Sequence, residues 1–276
     1  MTDKRLAVLG GGSMGLAIAT QLADSQFDSA NIAVSTNTPA SAARVAENHG
    51  WAAVAKEDSA SANSLVAENA DVILLAVKPA YVVEVLREIA PVLKPGALVV
   101  SVAAGITIAS MEAALPAGTA VVRTMPNTPS SIGEGMTGIV RGSSVSDSQF
   151  HAASEMFLAV GDILVVEESM IDALSTVSGS GPAYVYLFAE KLIAAAEHLG
   201  FSSEDAARLV KQTFLGASLL MSESNAEPSE LRRGVTSPNG TTMQAIARFE
   251  AGGLDETFVA AVESALARAR EIAAGN

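Results

Sequence analysis

Two stretches of this chain hold residues whose types and spacing suit chemistry. Near the C-terminus, Val235-Thr236-Ser237-Pro238-Asn239-Gly240-Thr241-Thr242 is a hydroxyl-rich turn that runs into an apolar-periodic segment from Met243. A turn that opens a helix presents unpaired backbone N–H groups and the positive end of the helix dipole, which together seat a small carboxylate. Near the N-terminus, Gly10-Gly11-Gly12-Ser13-Met14-Gly15 follows the apolar run Leu6-Ala7-Val8-Leu9 and precedes a helical stripe of Leu16, Ile18, Ala19 and Leu22. There the first glycine permits a tight turn, the second lets backbone approach a pyrophosphate, and the third lets the helix pack on the strand. Glycine-rich turns also arise for structural reasons alone, but strand, glycines and helix in this order favour a nucleotide. The two ends of the chain therefore read as a substrate site and a cofactor site.

The elements that must position these residues alternate in the first half. Short β-branched runs and Ala-rich helical stretches predict a parallel sheet covered by helices. Residues 31–34 form the second strand, and the acid that an NAD enzyme places on the ribose 2′-hydroxyl would fall near Ser35. Ser35-Thr36-Asn37 contains no acid, so hydroxyl and amide groups favour NADPH over NADH; Arg44 either assists or is a solvated helix residue. Strands at residues 71–77 and 98–102 end in Lys78-Pro79 and in Ala103-Ala104-Gly105. Ligands of open α/β sheets lie beyond the carboxyl ends of strands, so Ala76, Val77, Lys78, Pro79, Ala103, Ala104 and Gly105 should face the cofactor. Lys78 invites a catalytic role, but a packed stem with its charge toward solvent or phosphate is the simpler reading. Arg123-Thr124-Met125-Pro126-Asn127-Thr128-Pro129, followed by Gly133, Gly135 and Gly138, is either a rigid loop beside the nicotinamide or an edge turn. A last strand at residues 162–166 closes the sheet.

Composition narrows the function classes. A chain of 276 residues that is 49% hydrophobic can fill two cores, and with 4% aromatics it must fill them with Ala, Val, Leu and Ile. A net charge of −13 repels polyphosphate backbones, which argues against nucleic acid. The chain has no Cys, so disulfides, thiolate metal sites and a Cys nucleophile are excluded. No metal site is expected. No apolar run approaches the ~18 residues of a membrane span, and nothing resembles a signal-peptide core, so a cytoplasmic protein without membrane association is expected.

Strand signals vanish after Ser169. Residues 183–199 form a helix apolar on nearly every face, which must be buried all round and so calls for a partner subunit. Residues 206–221 and 258–272 are further amphipathic helices. His49, His151 and His198 all fall in surface contexts, leaving no plausible catalytic His.

Taken together, the glycine turn, the segment from Asn63 to Pro79, Ser101-Val102-Ala103-Ala104-Gly105, Met125-Pro126-Asn127-Thr128, Gly179-Ser180-Gly181-Pro182-Ala183-Tyr184 and the Val235-to-Thr242 loop resemble pyrroline-5-carboxylate reductase across essentially the whole chain. The resemblance implies an α/β fold with a Rossmann NADP-binding domain at 1–167, followed by an all-helical substrate-binding and dimerisation domain at 168–276. It implies reduction of 1-pyrroline-5-carboxylate to L-proline, the last step of proline biosynthesis, by a homodimer at least and a decamer at the larger extreme. By the same resemblance Thr242 bonds the ring nitrogen, Ser237 with the N–H groups of Gly240, Thr241 and Thr242 holds the carboxylate, and Glu168 lies near the substrate. Glu223 is a weaker acid candidate. Gly10, Gly12, Ser13, Met14, Gly15, Ser35, Thr36, Asn37 and Asn63 complete the cofactor set. The family usually has glycine where this chain has Asn239, a residue that tolerates the left-handed region. The β-hydroxyacid dehydrogenases share the two-part plan, but the positions of their catalytic Lys and Asn hold Val185 and Ala189 here. A non-catalytic NADP-binding scaffold would need no carboxylate-binding loop.

Overall fold

The structure is a computed structural model and describes residues 1–273. The first half alternates strand and helix: β1 (Leu6–Leu9), α1 (Ser13–Ser25), β2 (Ile32–Thr36), α2 (Pro39–His49), β3 (Ala52–Ala55), α3 (Ala62–Ala67), β4 (Val72–Leu75) and α4 (Val82–Ile89). It continues with β5 (Leu98–Ser101), α5 (Ile108–Glu112), β6 (Ala120–Met125), β7 (Gly135–Arg141), α6 (Asp147–Leu158), β8 (Gly161–Val165) and the short α7 (Ile171–Leu174). A π-helical turn, Ser175–Gly179, precedes five helices: α8 (Gly181–His198), α9 (Ser203–Glu223), α10 (Pro228–Gly234), α11 (Thr241–Ala251) and α12 (Leu254–Ala273).

The eight strands form one sheet in the order β3-β2-β1-β4-β5-β6-β7-β8. Side chains of a strand alternate between faces. Leu6 and Val8 accordingly enter one hydrophobic cluster with Ile18, Leu22, Val34 and Phe157, while Ala7 and Leu9 enter the other with Leu75, Leu86, Ile89 and Val121. Both faces of β1 and β4 are thus buried, which is why these strands read as unbroken apolar runs.

Two strands depart from the sequence expectation. β3 is a short Ala-rich segment with little β signal, and it adds an edge beside β2. The stretch from Gly135, read as a loop, is instead β7, which runs antiparallel to β6 and parallel to β8, so the sheet is mixed. Glycine hides this strand: a Cβ on Gly138 would lie 2.7 Å from Leu174 Cδ1, so α7 packs directly on its backbone. The sheet does end at β8, as the sequence suggests.

The chain divides into two compact units, one of Met1–Ser180 with the stretch from Leu266, the other Gly181–Ala265. In the second unit α8 packs on α9, and Phe188 stacks on Phe258 with ring centroids 5.8 Å apart. No residue of α8 is buried within this single chain, so the burial expected of so apolar a helix is not met by its own subunit. Among the described residues no helix is long and apolar enough to cross a membrane, and no cluster of His, Cys, Asp and Glu could hold a metal ion. Asp71, at the amino end of β4, keeps a carboxyl pKa below its ordinary value. Partial burial opposes ionisation there, but the Lys94 ammonium and the Arg5 N–H outweigh it.

Candidate active site

The residues expected to meet a cofactor gather at the carboxyl edge of β1, β2, β4 and β5. Gly10 adopts φ 105°, and a Cβ there would lie 2.7 Å from the Ala76 carbonyl oxygen, so only glycine lets the turn press against the end of β4. The N–H groups of Gly10 and Gly11 both donate to the Ser35 carbonyl, at 3.2 and 2.8 Å, which ties the turn to the end of β2. Gly12 differs from its neighbours, because its Cβ position faces open space with no protein atom within 4 Å. It is also the N-cap of α1, with no side-chain cap and no acidic residue in the first turn. The N–H groups of Ser13 and Met14 have no partner within the helix and stand at its positive end, a geometry that fits a pyrophosphate. Gly15 is buried where α1 crosses β1, as the third glycine of such a turn must be. On the β5 side, Val102 N–H donates to the Leu75 carbonyl at 3.1 Å, which sets Ala103, Ala104 and Gly105 beside the end of β4.

Ser35 and Asn63 are placed differently from the sequence reading. The Ser35 side chain is not displayed to a ligand: the residue is 2% exposed, and its hydroxyl donates to Asn63 Oδ1 at 2.7 Å. Asn63 is buried as well. The Thr36 hydroxyl turns back to the Thr38 carbonyl at 3.1 Å. What stands exposed at the end of β2 is Asn37, with Arg44 on α2 close enough to Ser41 to bond its hydroxyl at 3.0 Å.

Glu168 lies in the same unit and already has partners. Its Oε1 accepts from Arg123 Nη1 at 2.9 Å and from the Ile108 N–H at 2.7 Å, while Arg123 Nη2 lies 3.6 Å from Asp172 Oδ1. Arg123 is only 5% exposed, so this is a buried cation between two carboxylates. Nearby, Asn127 donates to the Ser178 carbonyl at 3.0 Å and accepts from the Met136 N–H at 2.9 Å. The Met125-Pro126-Asn127-Thr128 loop thus clamps the π-helical turn to β7.

The hydroxyl-rich loop lies in the second unit. Asn239 takes φ 58°, the left-handed conformation expected of it in place of glycine. Gly240 N–H donates to the Ser237 carbonyl at 3.0 Å, and a Cβ on Gly240 would overlap the Ser237 hydroxyl. That close turn delivers Ser237, Gly240, Thr241 and Thr242 to one point, the start of α11. Gly240 is the N-cap and supplies no side-chain hydrogen bond, and the first turn holds no acidic residue. The N–H groups of Thr241 and Thr242 have no partner within the helix. The arrangement can hold an anion.

The second half matches the family model for pyrroline-5-carboxylate reductase dimerisation over residues 168–272, and residues 5–105 match a model described as NADP oxidoreductase, coenzyme F420-dependent. The pyrroline-5-carboxylate reductase of Corynebacterium melassecola is 40% identical over 270 residues, covering 97% of this chain and 98% of the relative. The chain belongs to the pyrroline-5-carboxylate reductase family. A second member, from Pseudomonas aeruginosa, is also 40% identical, over 99% of this chain and 98% of its own length. Among solved structures, the pyrroline-5-carboxylate reductase of Coxiella burnetii superposes with a TM-score of 0.89 at 37% identity, covering 97% and 98% of the two chains. The Plasmodium falciparum enzyme, solved with NADP bound, gives 0.86 at 28% identity over 99% of each chain.

Within this member of the family, sequence reasoning quoted Arg123 and Asn127 as parts of a motif but gave neither a role. A cation among apolar β-residues was the available signal for Arg123, since such a group is buried only when paired. Nothing in the sequence pointed to the acceptor behind Asn63, which is Glu88 on α4.

Proposed function

We propose that this chain reduces the C=N bond of 1-pyrroline-5-carboxylate to L-proline, with NADPH favoured over NADH. The reading is carried by the uncapped start of α11, which offers Ser237, two free N–H groups and the Thr242 hydroxyl in a chain that matches its family over nearly its whole length. NADPH held through its pyrophosphate at the glycine turn would supply the hydride that the imine carbon needs. Gly12, Ser13 and Met14 cradle the pyrophosphate, and Ala76 to Pro79 with Ala103 to Gly105 line the strand ends beside it.

The protein's own part is to position and to hold charge. Ser237 and the N–H groups of Thr241 and Thr242 take the substrate carboxylate, the Gly240 N–H expected beside them being already given to the Ser237 carbonyl, and the Thr242 hydroxyl bonds the ring nitrogen. A cyclic imine is basic enough to arrive protonated, so no strong general acid is needed and orientation supplies much of the rate. With hydride on carbon and the proton kept on nitrogen, the product would be the secondary amine. Glu168, already paired with Arg123, acts by its position rather than by proton transfer. Asn37 and Arg44 take over from Ser35 as the groups that meet a 2′-phosphate. The working form is a homodimer at least, with a decamer as the larger assembly, in the cytoplasm.

The test follows NADPH absorbance on mixing protein, NADPH and pyrroline-5-carboxylate. Stoichiometric formation of proline supports the reading. NADPH that binds but is not consumed leaves a nucleotide-binding scaffold, and the assignment then fails.

A further inference from the structure

Ser35 anchors the nucleotide turn, and the group that holds Ser35 lies outside the site. Because the Ser35 carbonyl receives both Gly10 and Gly11, any shift of Ser35 moves the turn from which Gly12 faces open space. Its hydroxyl donates to Asn63 Oδ1 at 2.7 Å, and Asn63 Nδ2 donates to Glu88 Oε2 at 2.8 Å. Glu88 sits near the end of α4, and the Ser64 hydroxyl bonds its carbonyl at 3.0 Å, a second tie between α3 and α4.

A carboxylate accepts hydrogen bonds and donates none. Glu88 therefore draws the NH2 of Asn63 toward itself, which turns Asn63 Oδ1 toward Ser35 and obliges the Ser35 hydroxyl to donate. One acceptor-only group at the far end sets the direction of each bond up to the glycine turn. The other oxygen of Glu88, Oε1, is buried with no protein donor. Keeping it there carries a desolvation cost that an aliphatic residue on this amphipathic helix would not incur.

We propose that Glu88 is a positioning residue for the pyridine nucleotide, acting through Asn63 and Ser35 on the Gly10–Gly12 turn and on the Thr36–Asn37 edge. The proposal rests on the assignment of that turn to the nucleotide. Glu88 touches neither substrate nor cofactor; it holds what does.

Two full-length variants separate this role from simple packing. Glu88→Met fills a similar volume without an acceptor, whereas Glu88→Gln keeps an oxygen for Asn63. Loss of one buried hydrogen bond is expected to raise the NADPH Kd and KM of Glu88→Met about fivefold or more. Its kcat at saturating NADPH and its KM for pyrroline-5-carboxylate stay close to wild type, and Glu88→Gln stays close to wild type throughout. An unchanged NADPH KM in Glu88→Met, equal losses in both variants, or a loss confined to melting temperature and kcat overturns the proposal. Should Glu88→Met fail to fold, Ser35→Ala cuts the same relay while keeping the carbonyl that holds the turn. It is expected to give the same selective rise, and an unchanged NADPH KM overturns the proposal equally. Gly12→Val isolates the underlying assignment, since its side chain would enter only the open space at the turn. If Gly12→Val still binds NADPH normally, the nucleotide assignment is wrong; if it loses NADPH while Glu88→Met does not, only the relay is.

Discussion

Thr242 and Asn37 are single residues on which the proposed chemistry turns, and each can be changed without disturbing a core. Thr242 occupies the first turn of α11, and its hydroxyl is assigned to the substrate nitrogen. Thr242→Val keeps the shape and removes that contact, so kcat is expected to fall with NADPH affinity nearly unchanged. A lost hydrogen bond of about 1–3 kcal/mol corresponds to roughly 5- to 150-fold in rate, read from initial velocities at saturating NADPH. Unchanged kcat and KM together would remove α11 from the site. Asn37 is the exposed residue at the end of β2, while Ser35 beside it is turned inward to Asn63. Asn37→Asp places a negative charge at the proposed 2′-phosphate contact, and a repulsion of about 1–2 kcal/mol at high dielectric is expected to lower the NADPH-to-NADH ratio of kcat/KM by about tenfold. A ratio that does not move assigns the phosphate to other residues.

At the scale of elements, Arg123 is the link that holds β6, α7 and the turn before it together, since its guanidinium on β6 meets Glu168 just before α7 and Asp172 within it. Removing one partner of a buried ion pair typically costs about 3–5 kcal/mol. Glu168 keeps 34% of its side chain in solvent, so Arg123→Met should fall at or below the lower end of that range. Its melting temperature is expected to drop, and adding Glu168→Gln to it should recover part of the loss, because the uncompensated carboxylate is then neutral. Two losses that simply add would show that the pair contributes little. The same elements show what a sequence discloses. β1 and β4 were legible because burial on both faces leaves unbroken Val, Ile and Leu, and the start of α11 was legible because Pro238, Asn239 and Gly240 are turn residues with fixed backbone preferences. β3 and β7 were not, because Ala and Gly carry no strand signal and earn their places only through the neighbours packed on them, such as Leu174 on Gly138. Ser35 failed for a related reason. Its place near the end of β2 was legible, but the direction of its hydroxyl is decided by Asn63, 28 residues further on.

At the scale of the whole molecule, the apolar residues of α8 demand an account. Val185, Tyr186 and Leu187 are 48%, 59% and 50% exposed within the single chain, and α9 adds Leu215, Leu219 and Leu220 on a helix that buries only Ala206 and Val210. Full burial of a side chain of this size is worth about 1.5–3 kcal/mol, so half-exposed ones forgo about half of that each, and contiguous exposure of that kind marks an association surface. The match of residues 168–272 to the family's dimerisation model points to a second copy as the cover. Leu187→Glu discriminates, because a half-exposed position tolerates a charge in an isolated subunit, whereas burial against a partner leaves that charge desolvated and unpaired. The wild-type protein is expected to scatter light as a dimer or larger at micromolar concentration, with a melting temperature that rises with concentration. The variant should dissociate toward the monomer, and its melting temperature should lose most of that dependence. A variant that retains the wild-type mass would place the subunit contact elsewhere than on Leu187, and a wild-type protein that is monomeric and active would leave the apolar face of α8 without a partner of its own kind.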